Sequence, residues 1–139
     1  GADLVVRTIA DIEAGTATRI PQNDEESSYS GKLDKSMGLI DWTKSASVIE
    51  RLVRGLYPWP CAYTSLGGKG VKLLGAEVIG DEVSGVLPGE VTEVTKRTFS
   101  VKCGEDTLRI TRLQPEGKKA MDTAAFLNGY ALRAGDRFI

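Results

Sequence analysis

Apolar residues recur at helical spacing in two parts of the chain and alternate with polar residues in a third. In residues 3–14, DLVVRTIADIEA, the side chains of Leu4, Val5, Ile9 and Ile12 fall on one stripe, and Gly15 supplies a C-terminal stop. An amphipathic helix is predicted, with an apolar face that has no partner nearby in sequence. It reads as the last element of a unit outside the chain. Residues 16–38 are poor in apolar residues, and Pro21, Gly31, the serines and the acidic run Asp24–Glu26 punctuate them. A long structureless stretch is uncommon inside one domain, so this segment is expected to be a linker between two.

Helical spacing returns at Ala46, Ile49, Leu52, Val53 and Leu56, with Thr43 as the expected N-cap. Gly55 and the sequence YPWP end that helix, because Pro58 cannot continue it and restricts Tyr57. Trp42 and Trp59 bracket it, and both are expected to pack into the core. From Ala62 the pattern alternates. AYTSL, VKLLGAEVI, EVTEV, TFSVKC and TLRITRL read as five short strands separated by turns, with Gly67–Gly70 as a hairpin turn. A short helix over Thr123–Asn128 follows, capped by Asp122, and GDRFI at the end is expected to add an edge strand. The pattern predicts a mostly β fold with flanking helices. Its architecture is a small OB-like antiparallel β-barrel, preceded by an N-terminal helix and a linker.

The 139 residues are 41% hydrophobic and 27% charged, ordinary values for a globular chain, and no apolar run is long enough to span a membrane. A net charge of −1 excludes a protein that coats nucleic acid indiscriminately, though not a local basic patch. Histidine is absent, which removes a Ser-His-Asp triad, a Cys-His dyad and any histidine zinc site. Cys61 and Cys103 match no metal spacing and are expected to be small core residues in a reducing cytoplasm. The carboxylate pairs Asp81–Glu82 and Glu105–Asp106 sit at turns, where adjacent acids are usually just solvated. No catalytic and no metal-binding residue is assigned.

The remaining chemistry is basic. Lys118 and Lys119, in EGKKA, stand just before a helix, but the first glycine and the Ser/Thr of a nucleotide loop are missing. On spacing alone they are solvated loop charges. Lys32 and Lys35, near Tyr29, are either a solvated segment or a strap touching a phosphate backbone. Arg109 and Arg112 share a strand but point to opposite faces, so at most one joins a given patch. Arg133 and Arg137 join Lys118 and Lys119 if the last segment closes beside that loop.

Several segments then add up. LVVRTIADIEAGTATRIPQ, YSGKLDKSMGLIDW, VIERLVRGLYPWPCAYT, LPGEV and LQPEGKKAM, followed by FLNG and AGDRFI, occur in that order. Over essentially the whole chain the sequence resembles the C-terminal part of the methionyl-tRNA formyltransferase family. The resemblance implies that residues 1–15 are the terminal helix of a Rossmann-like catalytic domain absent here. It makes residues 16–38 the interdomain linker and residues 39–139 an OB-like tRNA-binding domain. It also implies that the chain alone is not an enzyme, that 10-formyltetrahydrofolate serves the parent enzyme and not this chain, and that the partner is the acceptor arm of a cytoplasmic initiator tRNA. Lys32, Lys35, Lys118 and Lys119 match tRNA-facing positions of the family, and Arg133 and Arg137 extend the patch. Cys61 stands where the family more commonly has glycine, a change at a turn position. The alternative is a relative that formylates an amino-sugar nucleotide or processes the formyl folate, in which this domain is structural.

Overall fold

The computed structural model describes residues 1–80 and 83–139, and these divide into two units, Gly1–Gly31 and Lys32–Ile139. The expected turn residues Asp81 and Glu82 lie outside the described residues. In the first unit, α1 spans Ala2–Glu13. Ala14 and Gly15 close it by donating to the carbonyls of Ala10 and Ile12, with Gly15 at φ 69 in the left-handed conformation that glycine tolerates. The apolar stripe is solvent-facing: Leu4, Val5, Ile9 and Ile12 are all more than half exposed. Asn23 caps a single 3-10 turn, Asp24–Glu26, by accepting from the Glu25 N–H at 3.2 Å.

The second unit is built on six antiparallel strands, β1 (Ala62–Leu66), β2 (Lys69–Ile79), β3 (Val91–Val94), β4 (Phe99–Lys102), β5 (Thr107–Pro115) and β6 (Met121–Asp122). Their order is β1-β2-β5-β4-β3, and β6 pairs with β5. The five predicted strands form, and the two-residue β6 was not predicted. Alternation sends Val71 and Leu73 of β2, Phe99 and Val101 of β4, and Leu108 and Ile110 of β5 into the core. Leu113 is also fully buried, although it lies three residues from Ile110. A bulge explains this. The β2–β5 register shifts between Leu73 and Ala76, so that Leu73 pairs with Leu113 and Ala76 with Ile110. Both strands change phase together, which keeps both pairs facing inward.

Helix α2 (Ala46–Gly55) lays Ala46, Ile49 and Val53 on the sheet. Helix α3 (Thr123–Gly129) is capped by Asp122, whose carboxylate accepts from the Ala125 N–H at 2.7 Å. The buried Thr123 hydroxyl donates to the Ile110 carbonyl at 2.6 Å and fixes α3 to β5. An aromatic run, Trp42–Phe138–Phe99–Phe126, crosses the core with ring centroids about 6 Å apart, from 5.8 to 6.0 Å. The buried Trp42 indole donates to Thr64 Oγ1 at 3.1 Å, and that hydroxyl donates to the Ile139 carbonyl at 2.9 Å. The C-terminus is thus tied to β1 and to the segment before α2.

Five expectations are corrected. The β2–β5 bulge turns Ile110 and Leu113 both inward, so Arg109 and Arg112 share the outward face instead of pointing to opposite ones. The sheet is not closed into a barrel. GDRFI forms no edge strand but reaches both sheet edges through isolated bridges, Leu66 with Phe138 and Glu90 with Arg137. Thr43 does not cap α2: its hydroxyl and N–H both engage Asp41, while the Ala46 N–H is satisfied by the Glu105 carbonyl at 2.9 Å. Trp59 is 54% exposed, unlike Trp42 at 5%. After α2 the chain reverses so that Leu56 and Cys61 turn inward, linked by Cys61 N–H to Leu56 O at 2.9 Å, and Tyr57 and Trp59 are left outside. Cys61 itself has φ 68, the region favoured by glycine, at a cost of roughly 1 kcal/mol for a residue with a Cβ.

Close backbone contact fixes where α2 begins. The Gly104 N–H donates to the Lys44 carbonyl at 2.9 Å, and a Cβ on Gly104 would collide with the Thr43 carbonyl. Gly104→Ala should therefore cost about 2 kcal/mol of stability by overpacking. The control Gly129→Ala, where a Cβ meets open space, should be neutral or slightly stabilising; urea unfolding of both variants checks this. Burial raises the Cys103 thiol from an ordinary 9.0 to about 12. Iodoacetamide at pH 9 should leave Cys103 unmodified in the native chain and label it once urea unfolds the protein, as peptide mass spectrometry would show.

Candidate nucleic-acid interface

Three register partners form a row across the sheet. Tyr63 of β1 pairs with Lys72 of β2, which pairs with Gln114 of β5. Residues directly opposite one another project to the same face, so these three side chains stand side by side over about 10 Å, two inter-strand spacings. Each end of the row holds a basic segment. At the β1 end, a 3-10 turn over Lys35–Gly38 docks Gly38 beneath Tyr63: a Cβ there would lie 3.0 Å from the Tyr63 ring and would collide with the Cys61 carbonyl. The Ile40 N–H, bonded to the Tyr63 carbonyl at 2.9 Å, locks this approach. At the β5 end, the Gln114 side-chain amide donates to the Lys118 carbonyl at 2.9 Å. The Lys118 N–H returns to Pro115 at 3.1 Å, which closes the turn with Gly117 at φ 70.

A second contact organises the neighbouring end of β2. Gly70 and Glu116 bond reciprocally: the Glu116 N–H donates to the Gly70 carbonyl at 2.9 Å, and Glu116 Oε2 accepts from the Gly70 N–H at 3.3 Å. On one side of this clasp lies a cleft bordered by Tyr63, Lys72 and Gln114. On the other lies a cleft with Lys69 and Arg137 in its lining. The two openings share Gly70, Val71, Pro115 and Glu116 but differ in their cations.

The six basic residues picked out from the sequence are all exposed. The structure relates the Lys35 turn and the Lys118 turn through the shared row, and it sets Arg137 beside the clasp. Lys32 and Lys119 flank these turns, and their side chains make no hydrogen bond or ion pair among the described residues. Arg133 is placed by its backbone, whose N–H donates to Asp136 at 2.8 Å, and its side chain is not drawn to the row by any contact. Arg109 lies 3.8 Å from Glu77. Lys69 and Lys72 were missed from the sequence. Lys72 is an outward position of an alternating strand, and only the pairing of three strands reveals its neighbours.

The local field is not purely positive. Asp34 lies between Lys32 and Lys35, and hydrogen bonds from the Ser36 hydroxyl and N–H hold its carboxyl below the usual carboxylate range. It stays ionised as a cap of the Lys35 turn. Among the described residues no group of side chains is arranged to hold a metal ion, and no helix is long and apolar enough to cross a membrane.

A family model for the formyl transferase C-terminal domain matches residues 32–131. The methionyl-tRNA formyltransferase of Lachnospira eligens is 45% identical over 139 residues, covering 97% of this chain and 44% of that protein. That of Agathobacter rectalis is also 45% identical, over 138 residues, covering 99% of this chain and 44% of its own. The chain thus spans less than half the length of the curated relatives it matches. Among solved structures, a variant of HypX from Aquifex aeolicus superimposes with a TM-score of 0.59 at 22% identity, covering 91% of this chain and 23% of that one. HypX in complex with tetrahydrofolic acid gives 0.58 at 21% identity, covering 90% and 22%. At such identity the likeness is one of fold. The family match starts at Lys32, the first residue of the second unit, and runs past α3 to Ala131; the chain belongs to the formyl transferase C-terminal domain family.

Proposed function

We propose that this chain is the tRNA-binding part of a methionyl-tRNA formyltransferase, gripping the phosphate backbone of the initiator tRNA acceptor arm in the cytoplasm. The observation that carries this reading is the row Tyr63–Lys72–Gln114, with a basic turn at each end. Lys35, Lys72 and Lys118 are exposed cations on rigid supports, suited to phosphate contacts that fix position without reading sequence. Lys32, Lys119, Arg133 and Arg137 extend the same surface in this proposal. Formyl transfer from 10-formyltetrahydrofolate belongs to a separate catalytic domain. The acids beside the row, Asp34 and Glu116, are tied to backbone N–H groups of Ser36 and Gly70, which suits them to hold loops rather than to act as bases. The exposed apolar stripe of α1 is assigned to packing against that same catalytic domain.

With about four phosphate contacts, the affinity for tRNA should fall with salt at a slope of about −3 to −4 in log–log form. A tRNA titration at several salt concentrations measures it, and no binding at low salt, or a flat dependence, would sink the proposal. Lys118→Ala with Lys119→Ala should weaken all tRNAs alike and reduce the slope by about 2, and Lys72→Ala by about 1. A loss confined to one tRNA would contradict phosphate contact. Failure of every lysine variant to change binding would favour the structural role seen in the alternative reading.

A further inference from the structure

The cleft beyond the Gly70–Glu116 clasp shares Arg137 with the proposed phosphate-binding surface but adds an aromatic wall and Lys69, which that surface does not use. It has a volume of about 450 Å³, within the range of small-molecule sites. Tyr130 forms part of its wall, half-buried, with its ring stacked on Phe126 at 4.3 Å between centroids and 17° between planes. Phe126 is fully buried and packs on Phe99, so the Tyr130 ring rests on a rigid base. Val71 and Leu132 add apolar wall.

The polar lining divides by availability. Glu116 and Asp136 already accept from the backbone N–H groups of Gly70 and Arg133, at 3.3 and 2.8 Å. The side chains of Lys69 and Arg137 make no hydrogen bond or ion pair among the described residues, and both are exposed. A complementary ligand has a flat apolar body to lie along an aromatic ring and an anionic group to meet two free cations.

We infer that this cleft takes one unstacked nucleotide, its base against Tyr130 and its phosphate on Lys69 and Arg137. The source assigned here, a single-stranded nucleotide of the bound tRNA, rests on the tRNA-binding reading above; a free mononucleotide shares the chemistry. Stacking of this kind tolerates any base, because every base has a π face.

Two arms separate the sources. In the first, methyl resonances of Leu66, Val71 and Leu132 are followed by NMR in the 139-residue chain during titration with 5′-AMP or ribose 5-phosphate. AMP should shift them and ribose 5-phosphate should not. Tyr130→Phe should keep the response, Tyr130→Leu should abolish it, and Lys69→Ala, an exposed change that spares the core, should weaken it. Equal responses to both ligands, or none to AMP, overturn the site. In the second arm, an RNA hairpin with a single-stranded extension is compared with its blunt counterpart. Tyr130→Leu should weaken the extended RNA about tenfold and leave the blunt RNA and the salt slope unchanged. Equal loss on both overturns the assignment to RNA. If AMP binds while neither RNA does, the tRNA reading falls separately and the cleft stands as a mononucleotide site.

Discussion

The second unit depends on β5. Its backbone is hydrogen-bonded on one side to β2 and on the other to β4 and β6, and its side chains Leu108, Ile110 and Leu113 are fully buried. An amide left unpaired in such a place costs roughly 1–3 kcal/mol. A one-residue slip would also turn every core side chain outward, so the register is strongly specified. That constraint reaches the surface through Pro115, the last residue of β5. The Gly70–Glu116 clasp and the Lys118 turn follow at once. The location of the two lysines is therefore set by strand pairing in the core, and the loop that carries them adds only its tight Gly117 turn.

The opposite end of the row is set by a different force. The Lys35 turn approaches β1 so closely that only glycine fits at position 38, and the Ile40–Tyr63 hydrogen bond holds it there. Backbone packing thus positions one basic segment and sheet register the other. Both put long cationic side chains into solvent on fixed stems. Preorganised stems lower the ordering cost of binding, since only the side-chain rotamers remain to be fixed when a polyanion arrives.

Much of this was legible in the sequence because it is local. The apolar stripes of α1 and α2, the Gly67–Gly70 hairpin, the five strand segments and the Asp122 cap each follow from residues within a few positions of one another. What was not legible is what arises between distant segments. The phase change at Leu74–Gly75 needs β2 and β5 to be read together, because in either strand alone Leu73 and Ala76, or Ile110 and Leu113, have the wrong spacing for one face. Thr43 looked like a helix cap because Glu105, which satisfies the first helical N–H, lies far along the chain. Trp59 looked like core because size suggests burial, yet reversal of the chain after Leu56 turns Cys61 inward and leaves Trp59 outside. The same reason hid Lys72: a lysine on the polar face of a strand gains meaning only from Tyr63 and Gln114 beside it.

Net charge is a poor guide to such a surface. The chain carries −1 overall, which on its face disfavours a polyanion. Yet at physiological ionic strength the Debye length is about 8 Å, close to the length of the Tyr63–Lys72–Gln114 row itself. A phosphate on the row responds to Lys72 and the turns at either end, while acids far from it are screened. The acids within the turns at the row's two ends, Asp34 and Glu116, have been given structural work as a turn cap and a strand clasp. They lower the local field without competing for Lys35 or Lys118, whose side chains form no ion pair among the described residues. Segregation by contact, more than by count, leaves the cations available.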